Sequence, residues 1–271
     1  THLFEPVQPE SQLSSELPEI FQLNLAKSQK LRYGENPHQQ AALYGPPPSL
    51  IQGKALSYNN LLDANAAWRA ILNFHNKPCC IIVKHNSPCG IATAENIQEA
   101  YTRAFKADPV SAYGGIIAFN TTVNYEAATL IMGQFAELII APDFSNEALE
   151  IFAKKPNLRL LKSEYFTQTS PFEIHSLSGS ILLQEHDVLT QDDFKNLKFV
   201  TQAKPTAEQL EQIYFAWKAV FSLKSNAIAI SREFMTLGLG TGQTSRVDAI
   251  KIAALKAKER GHDIRNTVMA S

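Results

Sequence analysis

The stretch Ile81-Ile82-Val83-Lys84-His85-Asn86-Ser87-Pro88-Cys89-Gly90 decides how this chain is read. Three β-branched apolar residues run straight into Lys-His, and Asn-Ser-Pro-Cys-Gly then breaks the strand. This predicts a buried strand that closes in a tight turn and delivers polar groups at its C-terminal end. Open α/β sheets place their sites at that edge, where loops and helix N-termini line a crevice. Lys84 beside His85 suits a reaction that needs both a cation and a proton shuttle. The neighbouring ammonium disfavours the imidazolium and keeps the ring neutral, and so free to act as a base, near pH 7. A solvated lysine and a capping histidine at an ordinary strand end fit the same residues.

Working outward, Ser57-Tyr58-Asn59-Asn60 leads into Leu61, Leu62, Ala66, Ala67, Ala70, Ile71 and Phe74 at helical spacing, with Asn60 placed as the cap. A second helix is predicted from Ala94 to Phe105, ended by Ala107-Asp108-Pro109. Ser111-Ala112-Tyr113-Gly114-Gly115 precedes the apolar run Ile116–Phe119, and paired glycines there allow close approach of a ligand or a packed helix. Tyr125 to Phe135 reads as a helix and Leu138–Ala141 as a buried strand. Glu137, just before it, is either a solvated helix-end carboxylate or a site group. Asn146 to Phe152 is helical, with Lys154-Lys155 at its C-terminal end, where cations complement the helix dipole.

In the second half, a helix from Pro205 to Phe221 is followed by Lys224-Ser225-Asn226 and the buried strand Ala227–Ile230. Leu237-Gly238-Leu239-Gly240-Thr241-Gly242 reads as a strand giving way to a glycine-rich turn, which feeds a long helix from Arg246 to Arg260. Glycines before a helix N-terminus offer free N–H groups to an anion, and Arg246 adds charge. Leu223-Lys224-Ser225-Asn226 echoes Val83-Lys84-His85-Asn86, which suggests two similar α/β layers. At the N-terminal side, residues 1–22 read as a leader or interdomain linker, and Phe21, Leu23 and Leu25 alternate as a short strand. The loop Leu31–Gln40 holds more functional groups than a connector needs. Between Lys162 and Leu197 an irregular connector with a short hairpin is expected. The domain reading is residues 1–22 as leader or linker, 23–198 as a first subdomain with its connector, and 199–271 as a partial second one.

At 271 residues, with 45% hydrophobic and 19% charged residues, the composition is that of a globular protein with a real core. A net charge of −1 argues against nucleic acid or an acidic membrane as partner, while a local anion pocket stays open. No apolar run approaches the roughly 18 residues of a membrane span, and the first residues do not read as a signal peptide. Three cysteines, Cys79, Cys80 and Cys89, build no disulfide framework and read as reduced, cytoplasmic core positions. Pro88-Cys89 starts like half of a zinc-deaminase site, but position 92 is Ala and no His-x-Glu occurs, so no metal is expected.

Five motifs then carry a resemblance: Leu31–Gln39, Lys84–Gly90, Ser111–Gly115, Lys224–Ala227 and Gly238–Arg246. In this order they resemble the AICAR transformylase domain of the bifunctional purine-biosynthesis enzymes, from about residue 23 to the end. The resemblance implies a cytidine-deaminase-like α/β fold, duplicated, with the second copy incomplete and without zinc. It implies formyl transfer from 10-formyltetrahydrofolate, as cosubstrate, to the 5-amino group of AICAR. By the same resemblance His85 is the proton donor and acceptor, Lys84 the transition-state stabiliser and Asn226 the amide that holds amine and imidazole in register. Arg32 and Tyr33 fall on nucleotide-binding positions, Asn60, Gly114 and Glu137 on contacts to the base, and Arg246 on a second ligand contact. Val247 falls on an apolar folate contact and Lys155 near the phosphate. A cytoplasmic homodimer with sites at the subunit interface is implied. The family's cyclohydrolase domain has no counterpart here, and the chain stops at Ser271 before a family segment that contributes to the folate pocket. A nucleotide-binding fragment without chemistry is therefore the alternative.

Overall fold

A computed structural model describes residues 17–164 and 172–271. The expected leader falls largely on residues 1–16, and part of the expected connector on 165–171, both outside the described residues. Packing divides the chain into two units, residues 1–26 with 169–188, and residues 27–168 with 189–271.

The larger unit is built on a mixed nine-stranded sheet among the described residues. A two-stranded ribbon, β1 (Lys27–Leu31) with β2 (Ala41–Tyr44), precedes it. The sheet's strands are β3 (Leu50–Gln52), β4 (Cys79–Lys84), β5 (Ser87–Thr93), β6 (Ile116–Phe119), β7 (Leu138–Ala141), β8 (Arg159–Lys162), β11 (Ile228–Arg232), β12 (Met235–Gly240) and β13 (Val268–Ala270). They lie in the order β13-β11-β12-β5-β4-β6-β7-β8-β3. The helices are α1 (Tyr58–Ile71), α2 (Ile97–Ala107), α3 (Pro109–Ala112), α4 (Tyr125–Met132), α5 (Asn146–Phe152), α6 (Gln191–Lys195), α7 (Ala207–Phe221) and α8 (Arg246–Glu259). The smaller unit contains the hairpin of β9 (Phe172–Ser176) and β10 (Ile181–Glu185).

Cys79 to Val83 are all buried, so β4 needs cover on both faces. Cys79, Ile81 and Val83 pack with α1 and α7 residues such as Trp68, Ile71 and Phe215. Cys80 and Ile82 point the other way, onto a layer of α2, α4 and α5 residues that includes Tyr101, Ile131 and Phe152. The period of two along β4 thus produces three layers, helices on either side of one sheet. No helix among the described residues is long and apolar enough to cross a membrane.

Several sequence expectations need correction. Phe21, Leu23 and Leu25 form no strand; extended pairing starts at Lys27, and Leu23 and Leu25 lie exposed. Ser87–Gly90 does not end the sheet but begins β5, so the turn is only His85-Asn86, both with left-handed φ of 51° and 60°. Pro88 sits in a strand because the register shifts between Ile82 and Val83, a bulge that tolerates the missing N–H. Asn60 is not the cap of α1: Ser57 is, and Asn60 returns the bond from the third helical position. Gly238 and Gly240 lie within β12 rather than in an anion-binding turn.

The Lys-x-Asn echo does not fall on matching places in the fold. Lys224-Ser225-Asn226 precedes β11, whereas Lys84-His85-Asn86 follows β4. The equivalent turn is Glu233-Phe234, again left-handed at φ 50° and 59°. Each half is a helix with a capping box (Ser57 with Asn60, Thr206 with Gln209), a strand, a left-handed two-residue turn, a second strand and a helix packed on it. The close approach of the last helix explains Gly90 in the first segment and Gly238 and Gly240 in the second. A Cβ on Gly90 would stand 2.0 Å from the Ala104 carbonyl, and one on Gly238 2.0 Å from that of Ala253.

The halves meet where β12 lies antiparallel to β5. Buried Thr236 accepts from Ile91 N at 3.0 Å and donates to Ile91 O at 3.3 Å. A second tie joins the helical layer: Arg260 Nε donates to Asp108 Oδ1 at 2.6 Å, with side chains only 18% and 6% exposed. Burial pushes the Asp108 carboxyl up, but the Ser111 hydroxyl, Arg260 and the Ser111 amide outweigh it and leave the group below its ordinary value.

Two outcomes follow from this packing. Gly90→Ala and Gly238→Ala each lower the urea midpoint by the equivalent of about 1–3 kcal/mol or more. Gly179→Ala, where nothing lies within 4 Å of the added Cβ, stays within about 0.5 kcal/mol of wild type. Arg260→Ala leaves Asp108 buried without its cation and costs about 3 kcal/mol at neutral pH. Because the folded Asp108 carboxyl lies below its unfolded value of 3.8, that difference is full above about pH 4 and is lost as pH falls through the folded value. Urea titrations of both proteins at several pH values measure it.

Candidate active site

Strand directions bring most of the singled-out residues to one edge of the sheet. Val83 pairs with Ile116, Ile116 with Leu138 and Leu138 with Arg159, so Lys84, Gly114 and Glu137 lie at the same end. Ile228 pairs with Gly240, and β12 runs antiparallel to β5, so Asn226 and the Thr241–Ser245 loop share that end too. Ala229 pairs with Ala270, which brings Ser271 there, and Arg246 donates to the Ser271 hydroxyl.

At the β4 end, the Lys84 ammonium donates to the Tyr113 carbonyl at 2.6 Å. One of its three hydrogens is engaged there, which leaves two for a ligand. His85 follows, exposed in the left-handed turn. Gly114 also has a left-handed φ, 69°, and its N–H bonds Phe135 O at 2.8 Å. A side chain there would be strained and would press on the Phe135 ring, 3.1 Å from an added Cβ.

From the helix side, buried Asn60 accepts from Ser57 N through Oδ1 and donates to Glu137 Oε2 at 3.0 Å through Nδ2. Capping and site contact are one side chain's work. Asp63, one turn further along α1, accepts from Asn86 N at 2.6 Å. The sequence reading passed over Asp63; its signal was an acidic residue three positions after Asn60, on the same helix face. Burial pushes the Asp63 carboxyl above its ordinary value, opposed by the Asn86 amide and by His85 and assisted by the Glu137 charge. The sign matters. With the folded value raised, the contribution to stability is complete below the unfolded value of 3.8 and is lost as pH rises through the folded one. At neutral pH the ionised carboxylate is therefore a cost to the fold.

Arg32 and Tyr33 follow β1, with the guanidinium 5.4 Å from the Tyr33 ring centroid. Their loop reaches α1 through Asn59 Nδ2, which donates to Glu35 O at 3.4 Å. Lys155 is committed elsewhere than the sequence suggested. Its ammonium donates to Met132 O at 2.7 Å and Gln134 O at 2.8 Å, serving the C-terminal end of α4 rather than that of α5.

In the other half, Asn226 Nδ2 donates to Gln243 O at 3.0 Å and Thr244 O at 3.3 Å, and the Ser225–Asn226 peptide is cis. Both amide hydrogens are thus used, and Oδ1 is the atom left for a ligand. Arg246 and Val247 open α8 and are exposed, Val247 at 57%. Between β4 and β11 lie β5 and β12, which pair with each other only at their far ends, Met235 with Ala92. His85 and Asn226 of one chain therefore share an edge without touching.

What this edge can do is acid–base and electrostatic chemistry. It offers an exposed imidazole, an ammonium, two carboxylates and amide oxygens. Nucleophilic thiol chemistry does not fit, since burial pushes the Cys89 thiol up to about 12 and Cys79 and Cys80 well above their ordinary value. No group of three or more His, Cys, Asp or Glu able to hold a metal occurs among the described residues.

The family model described as AICARFT/IMPCHase bienzyme matches residues 3–256. The bifunctional purine biosynthesis protein PurH of Aquifex aeolicus (strain VF5) is 45% identical over 257 residues, 92% of this chain and 50% of that protein. The chain thus spans about half the length of the curated relative it matches. With nearly its whole length matched, the chain belongs to the AICARFT/IMPCHase bienzyme family.

Proposed function

We propose that this chain carries the nucleotide site and the proton-transfer groups of a formyltransferase that moves a formyl group from 10-formyltetrahydrofolate to the 5-amino group of AICAR, in purine biosynthesis. The observation that supports it is the gathering of Lys84, His85, Asn60, Gly114 and Glu137 at one sheet edge in a chain of this family.

The AICAR amine is a weak nucleophile, because its lone pair is drawn into the imidazole and carboxamide. As it attacks the formyl carbon, His85 takes the amine proton, and the Lys84 ammonium stabilises the developing oxyanion. The bond from N10 to the formyl carbon then breaks, N10 leaves with a proton returned by the imidazolium, and tetrahydrofolate is released. Asn60 and Glu137 present an amide and a carboxylate to the carboxamide of the base, and Gly114 leaves room for the ring. Arg32 has a guanidinium fork suited to the phosphate, with Tyr33 beside it. Arg246 supplies a second contact, and Val247 an apolar surface for the folate. Lys155 acts through the α4 carbonyls it holds, next to the phosphate side of the site.

The two strands that stand between His85 and Asn226 in one chain support a homodimer, in which Asn226 Oδ1 from one copy receives the amine at the other copy's His85. The repeated helix–hairpin–helix frame supports a duplicated cytidine-deaminase-like fold, with residues 23–198 and 199–271 as its subdomains. The reading carries a cytoplasmic location with it. A second reading rests on the chain spanning half of its relative: an AICAR-binding unit that needs further chain for turnover.

His85→Ala is expected to slow transfer by at least about 100-fold while AICAR affinity, measured by calorimetry, stays within about threefold. Unchanged turnover would remove His85 from the mechanism. Arg32→Ala is expected to weaken AICAR binding by about 10-fold or more, and an unaltered affinity would exclude a phosphate role. Wild-type binding without turnover would favour the second reading.

A further inference from the structure

Each left-handed turn is held by a side chain of the helix before it, through the first turn amide, Glu233, in the second half, and through the second, Asn86, together with a backbone hydrogen bond from His85, in the first. In the second half, Gln212 of α7 offers Oε1 to the turn amide of Glu233 at 3.0 Å. In the first half, Asp63 of α1 offers Oδ1 to the turn amide of Asn86 at 2.6 Å. The positions correspond: Ser57 and Thr206 are the caps, and Asp63 and Gln212 each stand six residues after theirs. A neutral amide is therefore sufficient to hold such a turn. A carboxylate, half-buried and desolvated, stands only where the turn carries Lys84 and His85.

The charge also has a direction. Asp63 takes a further backbone hydrogen bond from His85, and His85 and Glu137 are the charged groups that act on it, the first favourably and the second against. Around it stand Asn60 and Glu137, joined at 3.0 Å. Two consecutive left-handed non-glycine residues are strained, so the turn gains from outside support, and the support here comes from a carboxylate.

We propose that Asp63 is a positioning residue for His85. Its carboxylate fixes the His85-Asn86 turn from α1, and its negative charge supports the imidazolium that forms when His85 takes a proton. The hydrogen bond does what Gln212 does in the other half; the charge is the added element. This rests on the reading of His85 as the proton shuttle.

The test is Asp63→Asn in the full 271-residue chain, with Asp63→Ala and Gln212→Ala beside it. Asp63→Asn keeps an acceptor and loses the charge. Its thermal midpoint is expected to equal or exceed that of wild type, its AICAR affinity to stay within about threefold, and its transfer rate to fall by about 10- to 100-fold. Asp63→Ala is expected to lose both rate and midpoint, and Gln212→Ala midpoint alone. A wild-type rate in Asp63→Asn, or a midpoint that falls in step with the rate, would overturn the proposal. The His85 ring resonances decide the point without turnover. They are expected to move in Asp63→Asn and not in Gln212→Ala, and resonances unmoved in Asp63→Asn would equally overturn it. Absence of transfer by the wild-type chain would count against the formyl-transfer reading alone.

Discussion

The structure depends on β4 being buried on both faces. Cys79 to Val83 leave no position for a polar side chain, so helices must cover either side and strands must flank both edges. Lys84 is the first residue free of that demand, and the polar chemistry begins there. The same burial makes the neighbouring strands short and apolar, with their own first polar residues at the same edge: Gly114 before β6 and Glu137 before β7. At this edge strands from distant parts of the sequence expose functional groups together, as open α/β sheets do where they hold their sites.

Support for that edge comes from helix starts rather than loops alone. Ser57 and Asn60 close the first turn of α1, and Asn60 has one amide hydrogen to spare for Glu137. Asp63, one turn on, reaches the hairpin. A rigid helix end thus holds both the Glu137 carboxylate and the turn carrying the His85 imidazole. Arg260 and Asp108 fasten the other approach, since Asp108 caps the short α3 that leads into Tyr113 and Gly114.

Much of this was legible in the sequence. Apolar runs of four to six residues between turn signals gave the central strands, because burial on both faces imprints itself directly on residue type. Lys84, His85, Glu137 and Asn226 stood out as polar residues abutting such runs. What sequence could not show was pairing. Ser87–Gly90 looks like a breaker because proline and glycine usually are, yet a bulge and a close helix make a strand of it. The Lys-x-Asn echo marks unlike places in the fold, and the likeness between the two helix–hairpin–helix segments lies in backbone geometry and capping, which Arg232-Glu233-Phe234 does not advertise. Asp63 was missed because a charged residue inside a helix ordinarily faces water, and only the fold brings Asn86 against it.

A structure of the 271-residue chain with AICAR bound tests the central claim most directly. The account predicts the nucleotide at this sheet edge, its base against Gly114 and Glu137, its 5-amino group within about 3 Å of the His85 imidazole and its phosphate near Arg32. AICAR seated elsewhere on the molecule, or lying at this edge with its amine turned away from His85, would contradict it.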